Sequence, residues 1–219
     1  MNKNKVLLII LDGYGETSDS IDNAVTQSKS PFLHNLFKQN HIRLKASGLA
    51  VGLPENTMGN SEVGHFTIGC GQILDQSLVR INKSIANKEF FNLELLVNSI
   101  KKIKDSGKKI HVTCLLSDTG IHGQINHLNA VCKILKQNQI EDFYLHGILD
   151  GRDVPQKSAE KYIKITNEIL NKNQIGQLVS LCGRYYAMDR DQNYDRTKVF
   201  YDLITKPQDY EFMPIKFLI

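Results

Sequence analysis

With 219 residues, 41% of them hydrophobic, the chain has enough apolar material for one large domain or two small ones, which excludes a disordered protein. Its net charge of +4 comes from 27 Lys+Arg against 23 Asp+Glu with no basic block, so no nucleic-acid footprint is present. The apolar run Val6 to Leu11 stops at Asp12 and is too short for a signal sequence or membrane span; a cytoplasmic protein without a membrane partner is expected.

In chain order, Val6 to Leu11 reads as a strand buried on both faces, with Asp12-Gly13 in a loop at its carboxyl end, where open α/β sheets bind ligands. "SPFLHNLFKQN" predicts a helix capped by Ser30, with Pro31 in its first turn and Phe32, Leu33, Leu36 and Phe37 on one face. "IRLKAS" alternates like a strand leading into "TMGNSEVGH", which has neither strand nor helix character. Two glycines so close together, Gly59 and Gly64, imply tight approaches around Ser61.

The polar stretch 76–88 reads as a linker between two bodies, 1–75 and 89–219. Beyond it "FFNLELLVNSIKKIKDSG" is a helix stopped by Gly107, "KIHVTCLLSD" a strand and "HLNAVCKILKQNQ" a helix. "DFYLHGILDGRD" follows as a strand, "KSAEKYIKITNEILNKN" as a helix and "GQLVSLCGR" as a strand. This alternation predicts a parallel sheet covered by helices. The cysteines Cys70, Cys114, Cys132 and Cys182 show no paired spacing and read as reduced thiols, mostly buried.

If those three strands are parallel, their polar ends share one edge. His122, Arg152, Asp153, Arg184 and Arg190 would then line one crevice suited to a small, multiply charged anion. Asp12 is placed like a ligand for a hard metal ion, though Asp-Gly is also a common turn. Ser61 is a candidate nucleophile. Together a metal-binding carboxylate, a serine on a stiff loop and an arginine-lined crevice describe phosphoryl transfer through a phosphoserine. His65 either places the serine or bonds backbone, His122 either meets substrate or braces a turn, and Arg152 with Asp153 could be no more than a surface ion pair. His122 and His127 are awkwardly spaced for a zinc pair, and Tyr185 and Tyr186 are expected in the core.

"LLIILDGYG", "MGNSEVGHFTIGCG", "VRINKSI", "LLSDTGIHGQINHL", "LDGRDVPQKSA" and "CGRYYAMDRDQNYDR" resemble, in order and spacing, cofactor-independent phosphoglycerate mutase from about Val6 to Leu203. The resemblance implies an α/β fold: an alkaline-phosphatase-like first domain, partial here, with an inserted parallel-sheet substrate domain, also partial. It implies a glycolytic isomerase that interconverts 3-phosphoglycerate and 2-phosphoglycerate with manganese and without 2,3-bisphosphoglycerate. Asp12 matches a metal ligand, and Ser61 matches the nucleophile that also touches metal. His122, Arg152, Asp153, Arg184 and Arg190 match substrate-binding positions. Gln72, Thr119 and Gln124 depart from the family pattern without removing any of these. The segment from Thr205 to Ile219 does not align, and the family's remaining metal ligands, a lysine and further arginines lie beyond it. The expectation is therefore the amino-terminal part of a mutase. Alone it would be inactive, completed by a complementing carboxy-terminal chain, or else a truncated remnant or a non-catalytic phosphoglycerate-binding module.

Overall fold

The computed structural model describes residues 5–15, 17 and 21–206; most of the segment from Thr205 to Ile219 lies outside them. The packing divides the chain into two units, 1–79 and 80–219.

In the first unit the described elements are short: α1 (Ala24–Gln27), α2 (Pro31–Leu36), a 3-10 turn at Gly48–Val51 and α3 (Ser61–Cys70). Two expected strands are corrected. Val6 to Leu11 forms no ladder and is exposed, Val6 at 90% and Leu7 at 83%. Residues 42–47 form none either, and Ile42 and Leu44 are equally open. An apolar run signals a need for burial but names no partner, and a strand exists only where its N–H and C=O groups find one. Among the described residues of this unit there is no strand to supply it. The helix at Pro31 is shorter than expected, and Ser30 does not cap it; its hydroxyl lies 2.9 Å from that of Ser28.

The stretch 76–88, expected as the linker between two bodies, contains the division between the units and is largely helical, α4 (Ser77–Ala86). Leu78, Val79, Asn82 and Ile85 recur at helical spacing and, with Ser84, are the residues of α4 that lose solvent contact, so sparse apolar anchors were enough. In the second unit, α4 is tied down by Asn82, whose Oδ1 lies 2.7 Å from Nε2 of His127.

The second unit follows the predicted alternation. A 3-10 turn (Glu89–Asn92) and α5 (Glu94–Asp105) lead to β1 (His111–Leu116), α6 (Asn126–Gln137), β2 (Tyr144–Leu149), α7 (Ala159–Asn173) and β3 (Gln177–Gly183). The short α8 (Arg184–Ala187) and α9 (Tyr194–Thr205) follow. The strands form a parallel sheet in the order β1-β2-β3. Their core gathers Ile100 of α5, Leu128, Cys132 and Leu135 of α6, Phe143 and Leu145 at β2, and Leu170 of α7. Val112, Cys114 and Leu178 pack against it from the same sheet face, since alternate residues of a strand share a face. Each fully buried side chain of this size contributes about 1.5–3 kcal/mol.

A polar row runs across the strands. His111 Nδ1 lies 2.9 Å from His146 Nε2, and His146 Nδ1 lies 2.7 Å from the Ser180 hydroxyl. Burial, with the neighbouring His111, holds the His146 imidazole below its ordinary pKa. Among the described residues no helix is long and apolar enough to cross a membrane.

Candidate functional site

The register fixes the site of the second unit. Leu116 pairs with Leu149, and Leu149 with Gly183, so Ser117, Asp150 and Arg184 begin three strand-end segments at one edge. Arg184 Nη1 donates to Asp150 Oδ1 at 2.8 Å and to Asp153 Oδ2 at 2.5 Å. His122 Nε2 approaches the same Asp153 oxygen at 3.8 Å. His122, Asp153 and Arg184 are thus brought together as the sequence predicts. Arg152 is exposed on the same loop as Asp153, and Arg190 is exposed in the loop after α8. Asp153 is engaged by Arg184, so the surface pair with Arg152 is not its role.

Asp150 is a further residue of this candidate site, one that the sequence did not single out. Its side chain is fully buried, and its Oδ1 accepts from the backbone N–H groups of Arg152 and Asp153, each at 3.1 Å, besides the guanidinium. Burial works to raise this carboxyl, but Arg184 and the loop N–H groups outweigh it and hold it below the usual carboxylate range. A cavity of about 150 Å³ opens beside it, lined by Leu116, Leu149, Gly151, Lys157, Ser158 and Tyr162 among others, but by none of the three arginines. Tyr162 donates to Asp118 at 2.7 Å and Lys161 to the same carboxylate at 3.1 Å, which commits Asp118 to α7. Tyr185 and Tyr186 are corrected: they are 58% and 41% exposed, and Arg196 lies 4.2 Å above the Tyr185 ring.

In the first unit, Ser61 does not sit on a loop but opens α3. Asn60 is the cap, its Oδ1 accepting from Val63 N at 3.0 Å. Gly59 is required by close approach, because an added Cβ would lie 1.8 Å from the Ala46 carbonyl oxygen; Gly64 meets nothing. His65 Nδ1 lies 2.8 Å from the Ser61 carbonyl and 3.1 Å from the Ser61 hydroxyl. A carbonyl only accepts, so Nδ1 carries the proton in that bond and does not take one from Ser61. His65 therefore braces the first turn. Asp12 is exposed in a turn in which Tyr14 N donates to Leu11 O at 3.2 Å. Among the described residues no group of three or more His, Cys, Asp or Glu side chains is arranged to hold a metal ion. Asp12 and Ser61 by themselves are too few donors for a divalent cation, so these residues do not fit a manganese site on their own. All four cysteines are free, with Cys132 and Cys182 buried and Cys70 exposed.

Residues 81–216 match the family model of the BPG-independent PGAM N-terminus, which corrects the expectation that the segment from Thr205 does not align: the match runs through most of it. The chain belongs to this family. A 2,3-bisphosphoglycerate-independent phosphoglycerate mutase of Staphylococcus epidermidis is 48% identical over 205 residues, covering 93% of this chain and 41% of the relative. One from Clostridium beijerinckii is 44% identical over the same length, with 40% of it covered. A crystal structure of Leishmania mexicana phosphoglycerate mutase at low cobalt concentration matches 81% of this chain and 34% of that one, with a TM-score of 0.61 and 28% identity. The chain thus spans about two fifths of the length of the curated relatives it matches. The α/β fold class of this N-terminal family member is the one the sequence predicts.

Proposed function

We propose that the chain is the amino-terminal part of a cytoplasmic, glycolytic phosphoglycerate mutase, an isomerase that interconverts 3-phosphoglycerate and 2-phosphoglycerate. The observation that carries this reading is the gathering of His122, Asp153 and Arg184 at one end of a parallel sheet, with Arg152 on the same loop. Together with Arg190 these residues bind the phosphoglycerate, the guanidiniums gripping its carboxylate or phosphate through paired hydrogen bonds. Ser61 takes the phosphoryl group. Its oxygen attacks phosphorus, the bond to the C3 oxygen of the glycerate breaks, and the serine proton passes to that oxygen. The retained glycerate reorients, and its C2 hydroxyl takes the phosphoryl group back, restoring the serine. The first position of α3 suits a phosphoserine, because free backbone N–H groups and the positive end of the helix favour negative charge there.

The family description makes this mutase independent of 2,3-bisphosphoglycerate. Manganese remains part of the reading, with Asp12 and Ser61 as two of its ligands and a carboxy-terminal partner chain supplying the others. A second reading, a phosphoglycerate-binding module without turnover, is favoured by one observation: anion-binding groups are assembled in the second unit, whereas the described residues hold no metal-binding group. The test is an assay with 3-phosphoglycerate and manganese, with Ser61→Ala beside the unaltered chain. No turnover is expected from the chain alone. Turnover is expected when the carboxy-terminal portion of a relative is added, and Ser61→Ala should abolish it. Turnover that survives Ser61→Ala would remove the serine from the mechanism, and none in the mixture would favour the binding module.

A further inference from the structure

We infer that Asp150 is a positioning residue for phosphoglycerate recognition: one carboxylate oxygen fixes both the backbone that carries Arg152 and Asp153 and the guanidinium of Arg184. The inference rests on the reading of the second unit as the phosphoglycerate-binding part. Three bonds converge on Oδ1, from Arg152 N and Asp153 N at 3.1 Å and from Arg184 Nη1 at 2.8 Å. Two of them come from the residue's own loop, which folds back over the side chain through Gly151 at a φ of +78°, a conformation that favours glycine. The third comes from the end of β3, so the same atom joins two of the three strand-end segments. Nη1 serves Asp150 and Asp153 together, and among the described residues no hydrogen bond or ion pair engages Nε or Nη2 of Arg184. That pair of donors forms a fork suited to a carboxylate or phosphate. Asp150 does not touch the ligand in this account. It determines which edge of Arg184 is free and where the Arg152–Asp153 backbone sits.

Side-chain length and charge both matter. Glutamate would keep the charge but carry the oxygens beyond the loop N–H groups. Asparagine would keep an acceptor but lose the charge opposite Arg184.

The test measures 3-phosphoglycerate binding and amide exchange on the full chain and on Asp150→Asn and Asp150→Glu. Each variant is expected to bind about tenfold or more weakly, to exchange faster at Arg152 and Asp153, and to keep protection through β2, which reports that the sheet is folded. Asp150→Glu decides the matter if Asp150→Asn loses the sheet. A folded variant with unchanged affinity overturns the inference, whatever its exchange rates. If the unaltered chain binds no 3-phosphoglycerate, the binding reading fails separately. Faster exchange at Arg152 and Asp153 in the variants would then still support Asp150 as the organiser of the loop, and unchanged exchange would overturn that too.

Discussion

The same four residues, Ile-Leu-Asp-Gly, occur once in each unit, at Ile10–Gly13 and at Ile148–Gly151, and their fates differ. The turn is common to both: Gly13 has a φ of +76° and Gly151 of +78°. The surroundings are not. Ile148 sits in the ladder at 7% exposure, and the Asp150 side chain is fully buried under Arg184. Ile10 and Leu11 are 43% and 50% exposed, and Asp12 is open to solvent. The local sequence dictates the turn, because glycine adopts that backbone without the steric cost that a Cβ adds. Whether the preceding run is a strand, and whether the aspartate becomes a buried anchor, depends on neighbours that the local sequence does not name.

This contrast can be broken most severely at Phe143, which is 1% exposed under β2. Phe143→Ala should cost the second unit about 3–5 kcal/mol, against under about 0.5 kcal/mol for Leu8→Ala at an exposed position. Denaturant melts followed by amide exchange in each unit would measure both, and equal costs would erase the distinction. Arg184→Ala comes next, leaving the Asp150 carboxylate buried without its guanidinium, at a cost of about 3 kcal/mol to the second unit.

Acid should also act mainly on the second unit, in two stages. Burial holds the imidazoles of His127 and His146 below their ordinary value, so the unfolded chain binds protons first and stability declines as pH falls below about 6.5. Asp150, held below the usual carboxylate range, contributes stability that is full above about pH 4 and is lost as pH falls further. In Arg184→Ala the second stage should shrink, which pH-dependent melts would record. A modest effect is expected in the first unit: Asn60→Ala removes the cap of α3 and should cost about 1 kcal/mol, read from exchange at Val63.

Much of the second unit was legible in the sequence because β1, β2 and β3 are each followed or preceded by an amphipathic helix, a pattern that specifies parallel pairing without naming contacts. Parallel pairing then brings the strand ends together, so His122, Asp153 and Arg184 could be grouped from their positions alone. Other features were illegible for identifiable reasons. Val6 to Leu11 carries the signature of a buried strand, but burial is a property of the pair. The helix at Ser61 was obscured by Gly59 and Gly64, although Asn60 followed three residues later by Val63 offers a cap in retrospect. The helix at Ser77 was hidden by its polarity, and Tyr185 and Tyr186 by the assumption that aromatic residues go inside. Asp150 was not singled out in the sequence, and only its bond to Arg184, 34 positions away in the chain, reveals it as an anchor.

The most direct measurement is a titration of the intact chain with 3-phosphoglycerate, followed amide by amide in solution. Shifts concentrated at the three strand-end segments, Ser117 to His122, Asp150 to Asp153 and Gly183 to Arg190, are the predicted result. A folded sheet with no shifts there, or with shifts confined to residues 5–79, would contradict the account.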